Sequence, residues 1–306
     1  MSRRAAHASC ATTYEILIAV ITTKEWTIWT SDGYPLSVTG YTHADSSLDA
    51  VLLINSALGV RQEYYRPFAQ FMADKGYMAI TYDYRGIGRS LSGHIKDAAI
   101  SMLLWGTHDL TSLLDWIGDN YPQHRIQCVG HSVGAQLIGL AHNNHKIERV
   151  LSVGGQVGYW RFWQGLDRVK SWLNFFILIP ILTQIYGYFP GSILGSCDIP
   201  AGVIREWARW CRNPNFIVDA DGNPIRQYFS AYRGRMLLYS FNDDTLFAPS
   251  KAVDELASYY SNASKKRCHI DPNDIGRQPI GHFGFFRTAF RQSLWEDAAA
   301  WFSAPR

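Results

Sequence analysis

The chain has 306 residues, 47% of them hydrophobic and 18% charged, which is enough apolar content for a sizeable core and excludes disorder as a description of the whole. Its 29 Lys and Arg against 26 Asp and Glu give a formal charge of +3, interspersed instead of blocked, so no nucleic-acid or acidic partner is indicated. Five scattered cysteines, Cys10, Cys128, Cys197, Cys211 and Cys268, are odd in number and argue against a disulfide framework, which leads us to expect a cytoplasmic protein.

Residues 1–23 read as an N-terminal extension: the apolar stretch Ile16 to Ile21 is too short, and too poor in small residues after it, for a signal peptide. Trp26 to Thr30, a turn at Ser31-Asp32-Gly33, and Tyr34 to Tyr41 predict a hairpin at a sheet edge. Ala50 to Ile54 is an uninterrupted apolar run, as expected of a strand buried on both faces. A helix carrying Phe68, Phe71 and Met72 follows and stops at Gly76.

Strands and helices then alternate. Strands are predicted at Met78 to Tyr82, Ile126 to Val129 and Val150 to Val153, with helices at Asp109 to Asn120 and Gly134 to Ala141 between them. Residues 156–228 break this pattern with Trp, Phe, Tyr and Pro. Alternation resumes with a strand at Arg235 to Phe241, a helix at Ser250 to Ser261, a strand at Arg267 to Asp271 after the basic loop Lys265-Lys266, and a helical region from Phe285 to Phe302. This order predicts a parallel sheet covered on both sides, with right-handed crossovers. The core is expected at 24–155 and 229–306, with an inserted cap at 156–228.

Within that insertion, Ser171 to Cys197 carries no charge and is long enough to span a bilayer. Asn174, Pro180, Gln184, Gly187 and Pro190 predict short helical pieces, so a hydrophobic cap is the favoured reading, with contact at a membrane surface as the alternative.

The chemistry centres on Gly130-His131-Ser132-Val133-Gly134, a G-x-S-x-G sequence between a predicted strand and a predicted helix. A sharp turn there presents the Ser132 hydroxyl at the carboxyl edge of the sheet and directs the Val133 backbone N–H toward a developing oxyanion. A serine needs a general base, and the base needs an acid to fix its tautomer. Asp243-Asp244 follows the strand ending at Phe241, and His282 lies in Gly281-His282-Phe283-Gly284 after the last strand. Asp244 is preferred to Asp243 because it is nearer the segment leading into the next helix. His131, His269 and Cys128 are read as structural. His142 and His145 lack the thiolate or carboxylate company that a metal site needs, and neither a metal nor an organic cofactor is expected.

The loop Tyr82-Asp83-Tyr84-Arg85-Gly86-Ile87-Gly88-Arg89-Ser90, the elbow at Ser132, Asp243-Asp244 and Ile280 to Phe286 together resemble an α/β-hydrolase of the esterase, lipase and serine aminopeptidase-like group. The resemblance implies a three-layer αβα sandwich with a mostly parallel eight-stranded sheet and an inserted helical cap. It also implies a triad of Ser132, Asp244 and His282, with Arg85 supporting the fold. Where this group carries His-Gly after its third strand, the chain has Asn55-Ser56-Ala57-Leu58-Gly59. Matching strand ends makes Ala57 the second oxyanion donor beside Val133, with Leu58 the alternative.

The expected activity is cleavage of a carboxylic ester or thioester through an acyl-enzyme. The aromatics of 156–228 favour an apolar acyl or alkyl group on a small-molecule substrate. The same triad would serve an acyltransferase. It would also serve an aminopeptidase, if Asp167, Asp198, Glu206, Asp219 or Asp221 held the substrate amine. A non-catalytic binding protein is the alternative from another class.

Overall fold

The computed structural model describes residues 21–44, 48–193, 195–276 and 279–305. Eight strands form one sheet: β1 (Ile21–Trp29), β2 (Pro35–His43), β3 (Ala50–Asn55), β4 (Tyr77–Tyr82), β5 (Arg125–His131), β6 (Ile147–Val153), β7 (Arg235–Phe241) and β8 (Ser264–Ile270). Their order across the sheet is β1-β2-β4-β3-β5-β6-β7-β8. β1 and β2 pair antiparallel, β2 pairs antiparallel with β4, and every junction from β4 to β8 is parallel. β1 begins inside the expected N-terminal extension, most of which lies outside the described residues.

The apolar run of β3 has the expected cause. Val51 and Leu53 enter the core on one face of the sheet, while Ala50, Leu52 and Ile54 enter a separate core on the other. The first face is covered by α2 (Thr111–Asn120) and α3 (Val133–Ile138). The second is covered by α1 (Arg66–Asp74) and the closing helix Glu296–Ser303, whose Phe68, Phe71 and Phe302 pack with Trp295. Lys265 and Lys266, expected in a loop, instead belong to β8 at the sheet edge, where exposed lysines discourage edge-to-edge pairing.

The chain between β6 and β7 contains α4 (Gly165–Tyr186), α5 (Ala201–Arg212) and a two-residue ribbon pairing Tyr188–Phe189 with Ile199–Pro200. α4 corrects the expectation of short pieces. A wider π-turn at Asn174–Leu178 precedes Pro180 at the start of the next α-helical stretch, so the missing proline N–H falls where the regular ladder is already interrupted. Gly187, in the left-handed conformation at φ 78°, ends the helix. By length and composition α4 could cross a membrane, but Ser171, Phe175, Ile179 and Thr183 form a stripe buried against the rest of the molecule.

Candidate active site

The end of β5 runs into α3 through Ser132, whose φ of 53° and ψ of −119° place a non-glycine residue in a sterically disfavoured region. Two glycines make the turn possible. A Cβ on Gly130 would lie 2.6 Å from the Ala135 Cα, and one on Gly134 would lie 2.4 Å from the Asn55 carbonyl oxygen. Ser132 donates its backbone N–H to the Val153 carbonyl (2.9 Å), which fixes the turn against β6.

The loops after β7 and β8 meet beside this turn. His282 Nδ1 lies 2.6 Å from Asp244 Oδ2, and both side chains are almost wholly buried. The other Asp244 oxygen, Oδ1, accepts from the backbone N–H groups of Phe247 (3.2 Å) and Ala248 (3.3 Å), so the carboxylate is held in one orientation. Asp243 acts elsewhere. Its Oδ2 accepts the Gly281 N–H at 3.0 Å, tying down the loop that carries His282. Phe247 stacks on the His282 ring with centroids 4.9 Å apart.

Ser132, Val133 and His282 open into a cavity of about 780 Å3, whose wall includes Ala57, Leu58, Trp163, Phe175, Trp207, Leu246 and Phe247. The insertion between β6 and β7 therefore forms one side of the cavity and the ends of the sheet strands form the other.

The sequence profile of a family described as serine aminopeptidase, S33, matches residues 46–175. No curated protein matches the chain. Among solved structures, an esterase from Pyrococcus furiosus is 17% identical, with a TM-score of 0.56 over 92% of this chain and 90% of that one. A hypothetical protein from Pseudomonas aeruginosa is 15% identical, with a TM-score of 0.61 over 97% and 99% of the two chains. A serine hydrolase described as lacking a lid, from Xanthomonas campestris, is 13% identical, with a TM-score of 0.53 over 93% and 97%. The chain has the α/β-hydrolase fold.

Within this fold the expected second oxyanion donor needs correction. The Ala57 N–H donates to Tyr65 Oη at 2.8 Å, so it is already committed to a buried phenol. The next amide, that of Leu58, belongs to a residue that lines the cavity. Sequence reading missed the Tyr65 partnership because it is a contact between the β3 loop and the turn before α1, with no local signature.

The same phenol continues the network. Tyr65 Oη lies 2.8 Å from His131 Nδ1, and His131 Nε2 lies 2.9 Å from the His282 carbonyl oxygen. A carbonyl only accepts, so Nε2 carries the proton and Nδ1 accepts from the phenol. Burial accordingly pushes the His131 pKa well below the ordinary imidazole value. Burial likewise pushes the Tyr65 hydroxyl far above the ordinary phenol value, keeping it a donor.

The other expected structural residues have structural partners. Arg85 Nε pairs with Asp109 Oδ1 at 2.5 Å and its Nη1 with Asp32 Oδ2 at 2.7 Å, bracing the β4 loop against the hairpin turn. His269 Nδ1 meets Ser240 Oγ at 2.6 Å between β8 and β7. Cys128 is buried in β5, and its thiol is pushed to higher pKa by burial.

Proposed function

We propose that the chain is a serine hydrolase that cleaves a carboxylic ester or thioester through an acyl-enzyme, and that residues 156–228 act as a cap over its site. The observation that carries this reading is that His282, held by the buried Asp244 at 2.6 Å, lines the same cavity as the strained Ser132. In the proposed cycle, His282 Nε2 takes the Ser132 hydroxyl proton as Oγ attacks the acyl carbon. Asp244 holds the Nδ1–H tautomer and stabilises the imidazolium. His282 then returns the proton to the departing oxygen or sulfur, and water repeats the sequence on the acyl-enzyme. The Val133 and Leu58 backbone N–H groups serve as the oxyanion donors.

The cavity wall supports an apolar acyl group over a peptide amino terminus. Among the described residues no carboxylate lines it. Of the acidic residues weighed for an amine, Asp167 pairs with Lys170, Asp198 accepts from the Gly191 N–H, Glu206 pairs with Arg209, and Asp219 accepts from the Asn223 N–H; Asp221 too is absent from the wall. Reaction with a fluorophosphonate, followed by peptide mapping, tests the proposal. Label on Ser132 supports it, and an unlabelled Ser132 in active protein refutes it.

A second reading adds contact with a lipid surface. Leu166, Val169, Leu173, Ile177, Ile181 and Ile185 recur at helical spacing on α4, and all are exposed, Leu166 to 77% and Ile185 to 68%. Co-sedimentation with liposomes, lost on replacing Leu173 and Ile177 by Glu, would support it.

A further inference from the structure

Among the described residues three cationic side chains reach the cavity wall: Arg61, Lys170 and Arg287. Lys170 is paired with Asp167 at 2.9 Å. Neither arginine has an ion-pair partner among the described residues. Both are exposed, yet each belongs to a built loop. Arg61 follows the oxyanion loop and its carbonyl accepts the Tyr64 N–H at 3.1 Å; its guanidinium lies beside the Cys197 thiol. Arg287 follows the His282 loop, and its guanidinium lies beside the Tyr64 hydroxyl, which donates to the Phe283 carbonyl at 2.5 Å. Tyr64 thus joins the two cation-bearing loops.

The side they occupy has a chemical meaning that rests on the proposed reaction. His282 must hand its proton to the departing oxygen or sulfur, so the leaving group lies on the His282 side of the acyl carbon. The chain from Phe283 to Arg287 continues directly from that histidine. A substrate whose apolar acyl part fills the aromatic region would carry its leaving part out past this rim.

We propose that Arg61 and Arg287 form an anion-binding rim that selects esters or thioesters whose leaving alcohol or thiol bears a phosphate, sulfonate or carboxylate. The anion takes no part in bond breaking: the acyl carbon to leaving-atom bond breaks, the Ser132 proton ends on the leaving atom, and the charge is released unchanged with the product. A guanidinium without an ion-pair partner is suited to this because its fork of donors matches such oxyanions.

The test compares two octanoyl aryl esters with leaving groups of matched acidity, one neutral and one bearing a sulfonate. Wild-type protein is expected to prefer the sulfonate ester in kcat/KM by roughly tenfold, the scale of two partly solvated ion pairs. That ratio should fall toward one in the Arg61→Gln/Arg287→Gln variant and, in unaltered protein, with added salt. The ratio for short-chain phosphatidylglycerol over phosphatidylcholine separates a lipid headgroup from a soluble ester as the source of the charge. A ratio that rises above the micelle threshold indicates the headgroup, and one that is equal on both sides indicates the soluble ester. A sulfonate ratio of one, with both aryl esters turned over, overturns the rim and leaves the hydrolase reading intact. No turnover of either ester overturns the hydrolase reading and the rim with it.

Discussion

His131 Nε2 donates to the His282 backbone carbonyl at 2.9 Å, linking the residue before the proposed nucleophile to the backbone of the proposed base. Because the Tyr65 hydroxyl bonds the opposite nitrogen and accepts from Ala57, one buried chain of hydrogen bonds connects the loop after β3, the turn at Ser132 and the loop that carries His282. Replacing Tyr65 with Phe leaves the Ala57 N–H and His131 Nδ1 without that partner. We expect a loss of about 1–3 kcal/mol in stability, measured by urea unfolding, together with a fall in kcat. Unchanged stability would show that the chain of bonds contributes nothing.

His131 also makes stability depend on pH. The folded protein resists protonating this imidazole, whereas the unfolded chain takes up a proton near pH ~6.5. Its contribution is therefore complete above that pH and declines as pH falls through it, since the unfolded state then binds more protons. Urea titrations at pH ~7.5 and ~5.5, on either side of that value, should show a steeper decline for unaltered protein than for His131→Gln. Equal declines would contradict the assignment.

The two neighbouring aspartates should separate cleanly. Asp244→Asn removes the carboxylate that fixes the His282 tautomer and is expected to lower kcat by on the order of ten-thousandfold. Asp243→Asn weakens a single contact to the Gly281 N–H and should cost less than about tenfold. Steady-state rates on one aryl ester decide, and a reversed ranking would exchange the roles.

Acyl-chain preference tests the cavity. Each methylene removed from water is worth about 0.8 kcal/mol, roughly fourfold in binding, so kcat/KM should climb from acetyl to medium-chain esters until the space of about 780 Å3 is full. Trp207→Ala should move the optimum to longer chains. A preference for acetyl esters over all longer ones would refute an apolar acyl site.

Much of this organisation is legible in the residues themselves. The apolar run Ala50 to Ile54 within β3 announces burial on both faces, and the G-x-S-x-G turn sits where a strand period gives way to a helix. What is not legible depends on contacts distant in sequence. Matching strand ends to the resembling family points to Ala57, but a phenol from the next loop takes its N–H. Pro180 reads as a break, yet the preceding π-turn accommodates it and α4 continues. Arg61 and Arg287 are ordinary surface cations in sequence, and only the fold brings both to one cavity.

The most direct test is turnover of an octanoyl aryl ester by Ser132→Ala, with circular dichroism used to verify the fold. Loss on the order of a millionfold in kcat, in a variant that retains the native spectrum, is the predicted result. Turnover close to that of unaltered protein would contradict the account, because the Ser132 hydroxyl would then be dispensable.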